Sequence, residues 1–407
     1  MTIGLLLLTL FTLGFCMIAN RVSKTIVTAP MLFILFGFLL SKAGIMPEGA
    51  SDHALHLVAE VALILLLFLD AAQTNLKALR QRNIWPLRML LIGLPLTILL
   101  GSLAAWPLLG AMPFVGVVLV AAILAPTDAA LGQAVVTNTL VPERVRRALT
   151  VESGLNDGLA LPIILLFASL TADMMVSNGT DWLLFGAGQL ILGPLAGIVF
   201  GIVGGKVLLW AKDRDYTSEP YEGVGAVALA VSAYLGANAI GGNGFIAAFV
   251  AGLCFGDVVK DKCKFIFEFT ESEGQGVTWA AFFLLGLVLV PEAITHLDAQ
   301  MLALILLSLF IVRPLAIYVS LIGSDASPTT RLFFGWFGPR GLATALFALL
   351  VVEKIDQSMG EPILHIAVNA VWISALLHGV SAQPAAKWFA ARQKQQSQST
   401  LAEATSA

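Results

Sequence analysis

Long apolar runs, separated by short polar stretches, set the pattern of this chain. A membrane-crossing helix needs about 20 mainly apolar residues. Thirteen segments meet that need: roughly 2–21, 26–45, 54–75, 86–110, 113–137, 147–172, 183–210, 221–239, 243–257, 277–294, 299–322, 330–352 and 362–389. The eighth and ninth meet at Ala239-Ile240-Gly241-Gly242-Asn243-Gly244, which leaves little loop. Two spans carry breakers at their centres. Ala125-Pro126-Thr127-Asp128 interrupts the fifth, and Gly335-Trp336-Phe337-Gly338-Pro339-Arg340-Gly341 the twelfth. Proline removes a backbone donor and disfavours helix in the residue before it. The two breaks lie seven spans apart. An odd offset is what an inverted repeat requires, so spans 1–6 map onto 8–13 and the seventh connects them. The expected fold is an all-α polytopic membrane protein of 13 transmembrane helices, with inverted repeats and broken helices 5 and 12.

Composition agrees. Of 407 residues, 58% are hydrophobic and 12% charged, whereas soluble domains carry about 25% charged residues. On the thirteen-span count, nineteen of the 23 Lys and Arg residues fall on one side of the membrane, with only Lys42 and Lys354 opposite. Basic residues favour the cytoplasm, so the N-terminus is expected outside and the C-terminus inside. The first segment has no basic leader or clear cleavage site and is read as a span rather than a signal peptide. Residues 1–390 form one transmembrane unit. Residues 391–407, rich in Gln, Ser, Thr and Ala, read as a short disordered cytoplasmic tail. No hydrophilic stretch is long enough for a nucleotide-binding domain or an ATPase, so transport would run on ion gradients and the chain is not read as an enzyme. A net charge of −3 argues against a nucleic-acid partner. Neither the three cysteines nor His53, His56, His296, His365 and His378 show metal-ligand spacing, so no cofactor is expected.

The chemistry centres on Val151-Glu152-Ser153-Gly154-Leu155-Asn156-Asp157-Gly158. Ionisable residues at bilayer depth are costly and usually line an ion pathway. On a helix, Ser153 stacks with Asp157 and Glu152 with Asn156. Asp157, Asp128, the Ser153 hydroxyl and the hydroxyl or carbonyl of Thr127 could offer oxygens to a hard monovalent cation where two helices cross. A carboxylate in such a site holds a proton or a cation but not both, and that competition is enough for exchange. Glu152 and Arg340 are expected to form a structural ion pair, with Asn156 bridging Glu152 to the break. Arg313 either balances another acid or snorkels to an interface. Asp70 either lines a cytoplasmic funnel or caps the third span. Gly193, Gly197, Gly201 and Gly205 form a small-residue stripe suited to a close helix contact, such as one at a dimer interface. The run from Lys260 to Glu273 reads as a charged cytoplasmic connection, with an interfacial helix as one form it could take.

Taken in order, Ala-Pro-Thr-Asp, Val-Glu-Ser-Gly-Leu-Asn-Asp-Gly and Gly-Pro-Arg-Gly resemble the monovalent cation:proton antiporter-1 family, the sodium/hydrogen exchangers. Leu66-Leu67-Phe68-Leu69-Asp70, Asn243-Gly244-Phe245-Ile246-Ala247-Ala248-Phe249 and Arg313-Pro314 add to it, so the resemblance covers nearly all of the membrane region. It implies that Asp157 carries the cation and the proton. Asn156 stands where electrogenic relatives have a second aspartate, which implies electroneutral one-for-one exchange. Thr127 and Asp128 match the unwound fifth helix, Ser153 a cation ligand, and Glu152 with Arg340 the stabilising pair. The family also implies a homodimer in the inner membrane, serving pH and sodium homeostasis. Its core bundle would be helices 4–6 and 11–13, moving against interface helices 1–3 and 7–10. Ala129 departs from the second proline found in many members, which bears on selectivity. The expected function is Na+(Li+)/H+ antiport. K+/H+ antiport, a passive cation channel, and an intramembrane hydrolase built on Ser153 are the competing readings.

Overall fold

The computed structural model describes residues 2–22, 25–45, 52–74, 84–173, 179–259, 262–263 and 275–406. Its described helices are α1 Thr2–Val22, α2 Ala29–Lys42, α3 Asp52–Gln73, α4 Ile84–Ala105, α5 Phe114–Ile123, α6 Ala129–Val136, α7 Glu143–Asp173 and α8 Gly179–Lys212. They continue as α9 Glu219–Ala239, α10 Gly244–Val259, α11 Gln275–Thr295, α12 Ala299–Ser320, α13 Pro328–Trp336, α14 Leu342–Val352 and α15 Gln357–Ser406. Each expected span coincides with one helix, except that the fifth is split into α5 and α6 and the twelfth into α13 and α14. Among the described residues, six helices are by length and composition long and apolar enough to cross a membrane. Others, such as α2 and α10, are shorter.

The breaks lie where the sequence places them. α5 ends before Ala125-Pro126-Thr127-Asp128, and α13 ends before Phe337-Gly338-Pro339-Arg340-Gly341. Gly116–Ile123 of α5 and Leu342–Leu349 of α14 are buried on every side. A helix that is apolar all round belongs in the interior, and these two halves form the centre of the molecule. The tight α9–α10 junction is closed by asparagines. Asn243 Oδ1 accepts from the Phe245 and Ile246 amides, Asn238 Oδ1 accepts from Gly244 N, and Gly241 supplies a φ of +79° that side chains resist.

Three spans widen into π turns: Met89–Gly93 in α4, Leu285–Leu289 in α11 and Ser308–Val312 in α12. Each is followed, one residue later, by Pro95, Pro291 or Pro314. Proline has no N–H and crowds the carbonyl four residues back. A wider turn relieves both problems. α4 and α12 are the fourth and eleventh spans, seven apart like the two broken ones.

Two expectations are corrected here. The tail was expected to be disordered, yet α15 runs unbroken to Ser406. Its Ala, Gln, Lys and Arg are good helix formers, and it extends a helix already nucleated in the core. The glycine stripe of α8 packs within the chain: Gly193, Gly197 and Gly201 lie against the backbone of Asn243, Ala247 and Ala251 on α10, and Gly205 against Val258. That face is therefore not free for a second subunit. Most of the Lys260–Glu273 connection lies outside the described residues.

Candidate functional site

The two breaks cross and are tied together. Asp128 N donates to Pro339 O at 2.9 Å. The Asp128 carboxylate accepts from Leu342 N at 2.8 Å, in the first turn of α14, and from Leu131 N at 3.3 Å, in the first turn of α6. One carboxylate thus caps two helix N-termini, the positive ends of their dipoles. Arg340 does the converse. Its guanidinium donates to the carbonyls of Ala125 at 2.9 Å and Pro126 at 3.3 Å, just past the C-terminus of α5, and to Ser308 Oγ at 3.3 Å. The acid of one repeat serves helix N-termini, and the base of the other serves a helix C-terminus. Gly341 is required for this approach, because a Cβ there would overlap the Asp128 carboxylate.

The ion pair expected between Glu152 and Arg340 is therefore not formed. Glu152 pairs with Arg313 instead, whose two terminal nitrogens lie 3.2 Å from its oxygens. Both side chains are buried. The π turn explains the choice. It hydrogen-bonds Arg313 N to Ser308 O and so brings two residues five apart onto one face. Arg313 then reaches Glu152 while Ser308 reaches Arg340. Arg313 balances an acid rather than snorkelling. Gly338 makes room, since a Cβ there would overlap the Arg313 guanidinium.

Around this frame α7 presents the remaining polar groups. Ser153 Oγ donates to Thr127 O at 2.6 Å. Asn156 Nδ2 donates to Thr127 Oγ1 at 2.5 Å and lies 3.4 Å from Glu152 Oε1, and Thr127 Oγ1 donates to Glu152 Oε2 at 3.2 Å. Asp157 is only 5% exposed. Its Oδ1 is buried without a hydrogen-bond partner, as is Asn156 Oδ1. Buried acceptors left unmatched are uncommon and costly, and a cation or proton would satisfy them. Asp70 also reaches this place. Its backbone carbonyl stands against α7 at Gly154, and its carboxylate lies within electrostatic reach of Asp157 and Asp128. A cavity lined by Thr127, Asp128, Gly132, Glu152, Ser153 and Pro339 adjoins the crossing.

The structure thus gathers Thr127, Asp128, Glu152, Ser153, Asn156, Asp157, Arg313 and Arg340 in one place, with Asp70 beside them. Sequence reasoning missed Ser308, Ser374 and His378, which also bind the breaks. Their one signal was polarity inside apolar spans.

A buried oxygen cluster at crossed half-helices of a membrane protein has the ligand chemistry that hard cations take. The family model described as "Sodium/hydrogen exchanger, transmembrane" matches residues 6–388, and the chain belongs to this family of monovalent cation:proton antiporters. A protein named K(+)/H(+) antiporter NhaP from Alkalimonas amylolytica is 26% identical over 401 residues, covering 94% of this chain and 67% of the relative. K(+)/H(+) antiporter NhaP2 of Shewanella sp. (strain ANA-3) is 26% identical over 367 residues, covering 88% of this chain and 62% of the relative. The chain thus spans about two thirds of the length of these curated relatives. The structure of the sodium proton antiporter MjNhaP1 from Methanocaldococcus jannaschii at pH 8 matches with a TM-score of 0.77 at 22% identity, over 96% of this chain and 99% of that one.

Proposed function

We propose that this chain is a secondary-active antiporter that exchanges Na+ or Li+ for H+ at Asp157, one for one and without net charge movement. The observation that carries the reading is the buried, unpartnered Asp157 Oδ1 beside the Thr127–Asp128 break. A site of this kind is stable with either a proton or a cation bound, and an empty charged site is costly to move through the bilayer. Thr127, Asp128 and Ser153 supply further oxygens, and Asp70 adds a nearby negative charge. Asn156 cannot carry a second charge, because a carboxamide does not ionise; its Nδ2 is held by Thr127 and Glu152. That supports single-carrier, electroneutral exchange.

The working unit is a homodimer in the inner membrane, with the N-terminus outside and a role in pH and sodium homeostasis. Its mobile core comprises spans 4–6 and 11–13, moving against spans 1–3 and 7–10. Support for this division comes from the site itself. Asp128, Glu152, Arg313, Arg340 and Ser374 bind one another's helices, and they lie on spans 5, 6, 11, 12 and 13. A second reading, K+/H+ exchange, is favoured by the names of the two curated relatives.

The test uses purified protein in liposomes with a trapped pH dye and an imposed pH gradient. Na+, Li+ and K+ are added separately, with voltage clamped by valinomycin and K+ in the Na+ and Li+ runs. Na+-driven proton movement indifferent to the clamp is expected, and Asp157→Asn should abolish it while the protein remains folded. A response to K+ alone selects the second reading. A steady current through the wild type would favour a channel, and no response to any cation would overturn antiport.

A further inference from the structure

A broken helix leaves backbone groups unpaired, and in this fold some of them must be held while others face the ion. At the break in the twelfth span, α15 supplies the holding groups. Arg340 N donates to Ser374 Oγ at 2.8 Å. Ser374 Oγ lies 3.1 Å from His378 Nδ1, one helical turn further on. His378 Nε2 lies 2.9 Å from Trp336 O, the last carbonyl of α13, and the imidazole stacks on the Trp336 ring with centroids 4.9 Å apart. Ser374 and His378 are 0% and 2% exposed, so water does not substitute for these contacts.

Ser374 Oγ receives the Arg340 amide hydrogen and keeps its own hydrogen for an acceptor. His378 Nδ1 lies 3.1 Å from that hydroxyl and 2.9 Å from Ser374 O, while Nε2 lies 2.9 Å from Trp336 O. A neutral imidazole has one ring hydrogen: on Nε2 it goes to Trp336 O and leaves Nδ1 to accept from Ser374 Oγ, and on Nδ1 it goes to Ser374 O. The first tautomer joins Arg340 N, Ser374, His378 and Trp336 O in one chain. The network spans the break from Trp336 O, which also accepts from Gly338 N, to the amide of the arginine that holds the other break. Immediately beyond it, Pro339 O and Leu342 N grip Asp128.

We infer that Ser374 and His378 are positioning residues for cation exchange: they set the backbone of the twelfth-span break, and through it the place of Asp128, without touching the ion. The inference rests on the antiport reading above. Weakening the network should blur the cation site and leave the carrier aspartate in place. Half-saturation for the cation then rises while the maximal rate changes little.

The experiment compares substitutions of similar shape. Ser374→Thr keeps the hydroxyl and Ser374→Val removes it. His378→Gln keeps an acceptor and a donor, and His378→Met keeps neither. Exchange is measured in liposomes over a cation series at fixed pH, and amide hydrogen–deuterium exchange is followed over residues 336–342. For Ser374→Val and His378→Met, half-saturation should rise about three- to tenfold, the worth of one hydrogen bond, with amide exchange in the segment accelerated. Thr and Gln should stay near wild type, and the Ser374→Val/His378→Met double variant should be no worse than the stronger single. Equal half-saturation within each pair would overturn the inference, as would loss of folding in both members of a pair. Absent exchange in wild type would overturn the antiport reading instead. The deuterium measurement would still decide the positioning role, which unchanged protection in Val and Met would refute.

Discussion

At the residue scale, the charges of the site fall into two kinds. Glu152 and Arg313 are a buried, closely matched pair, whereas Asp128 and Arg340 spend much of their hydrogen bonding on backbone. A buried pair adds little compared with apolar packing, but breaking it leaves an uncompensated charge, at about 3–5 kcal/mol. Glu152→Gln and Arg313→Met should therefore each lower the melting temperature in detergent sharply, while the double variant Glu152→Gln/Arg313→Met should lose much less than the sum. Strict additivity would refute the pairing. The sequence reading paired Glu152 with Arg340, the wrong arginine, because spacing alone does not show which of the two reaches it. Counting at 3.6 residues per turn turns Ser308 and Arg313 away from each other, and only the π turn ahead of Pro314 brings them together. The acidic helix, by contrast, was legible residue by residue, because Glu152, Ser153, Asn156 and Asp157 obey ordinary helical spacing.

At the scale of elements, the broken helices were readable because Pro126 and Pro339 announce them, and the half-helices around them are apolar enough to be central. What they grip was not readable, since it depends on close approach. Gly341 is the clearest case. Gly341→Ala would push the Asp128 carboxylate off Leu342 N, so exchange should fall at least tenfold while the protein still purifies as a folded species; near-normal exchange would show that the Asp128 cap is dispensable. A second junction ties α4, α7 and the α12–α13 loop on the side expected to be cytoplasmic. There Asp325 accepts from Trp85 Nε1 and Arg144 Nη1, each at 2.6 Å, and the Arg144 guanidinium stacks on the Trp85 ring at 3.7 Å. The hydrogen bond from Arg144 holds the Asp325 carboxyl below the usual aspartate value. A lowered folded value means that the stabilisation is fully present above the unfolded value, about 3.9, and is lost as pH falls through the folded one. Asp325→Asn should lower the melting temperature slightly at neutral pH, and the gap should close in strong acid. A gap that persisted there would assign the effect to packing on Trp85. The same scale explains the tail: its composition resembles disorder, but a helix that enters it already formed needs no nucleation.

At the scale of the whole molecule, the chain uses its close-packing glycines on itself, with α8 laid against α10, and gathers most of the buried charge among its described residues at the crossing of five spans, Glu222 beside Lys212 lying elsewhere. Such a design concentrates the response to ligand in one place. A cation that binds only the folded protein should stabilise all of it, by about 2.7 kcal/mol when present at a hundred times its dissociation constant. If proton and cation compete for Asp157, that stabilisation must shrink as pH falls, because each proton bound removes a cation site. Thermal melting of the detergent-solubilised protein with and without Na+, Li+ or K+ reads this directly, without any need for transport. Stabilisation by at least one of these ions is expected above neutrality, fading steadily toward acid and absent in Asp157→Asn. Stabilisation that ignored pH, or that survived in Asp157→Asn, would place the ion elsewhere and separate the buried aspartate from the exchange cycle.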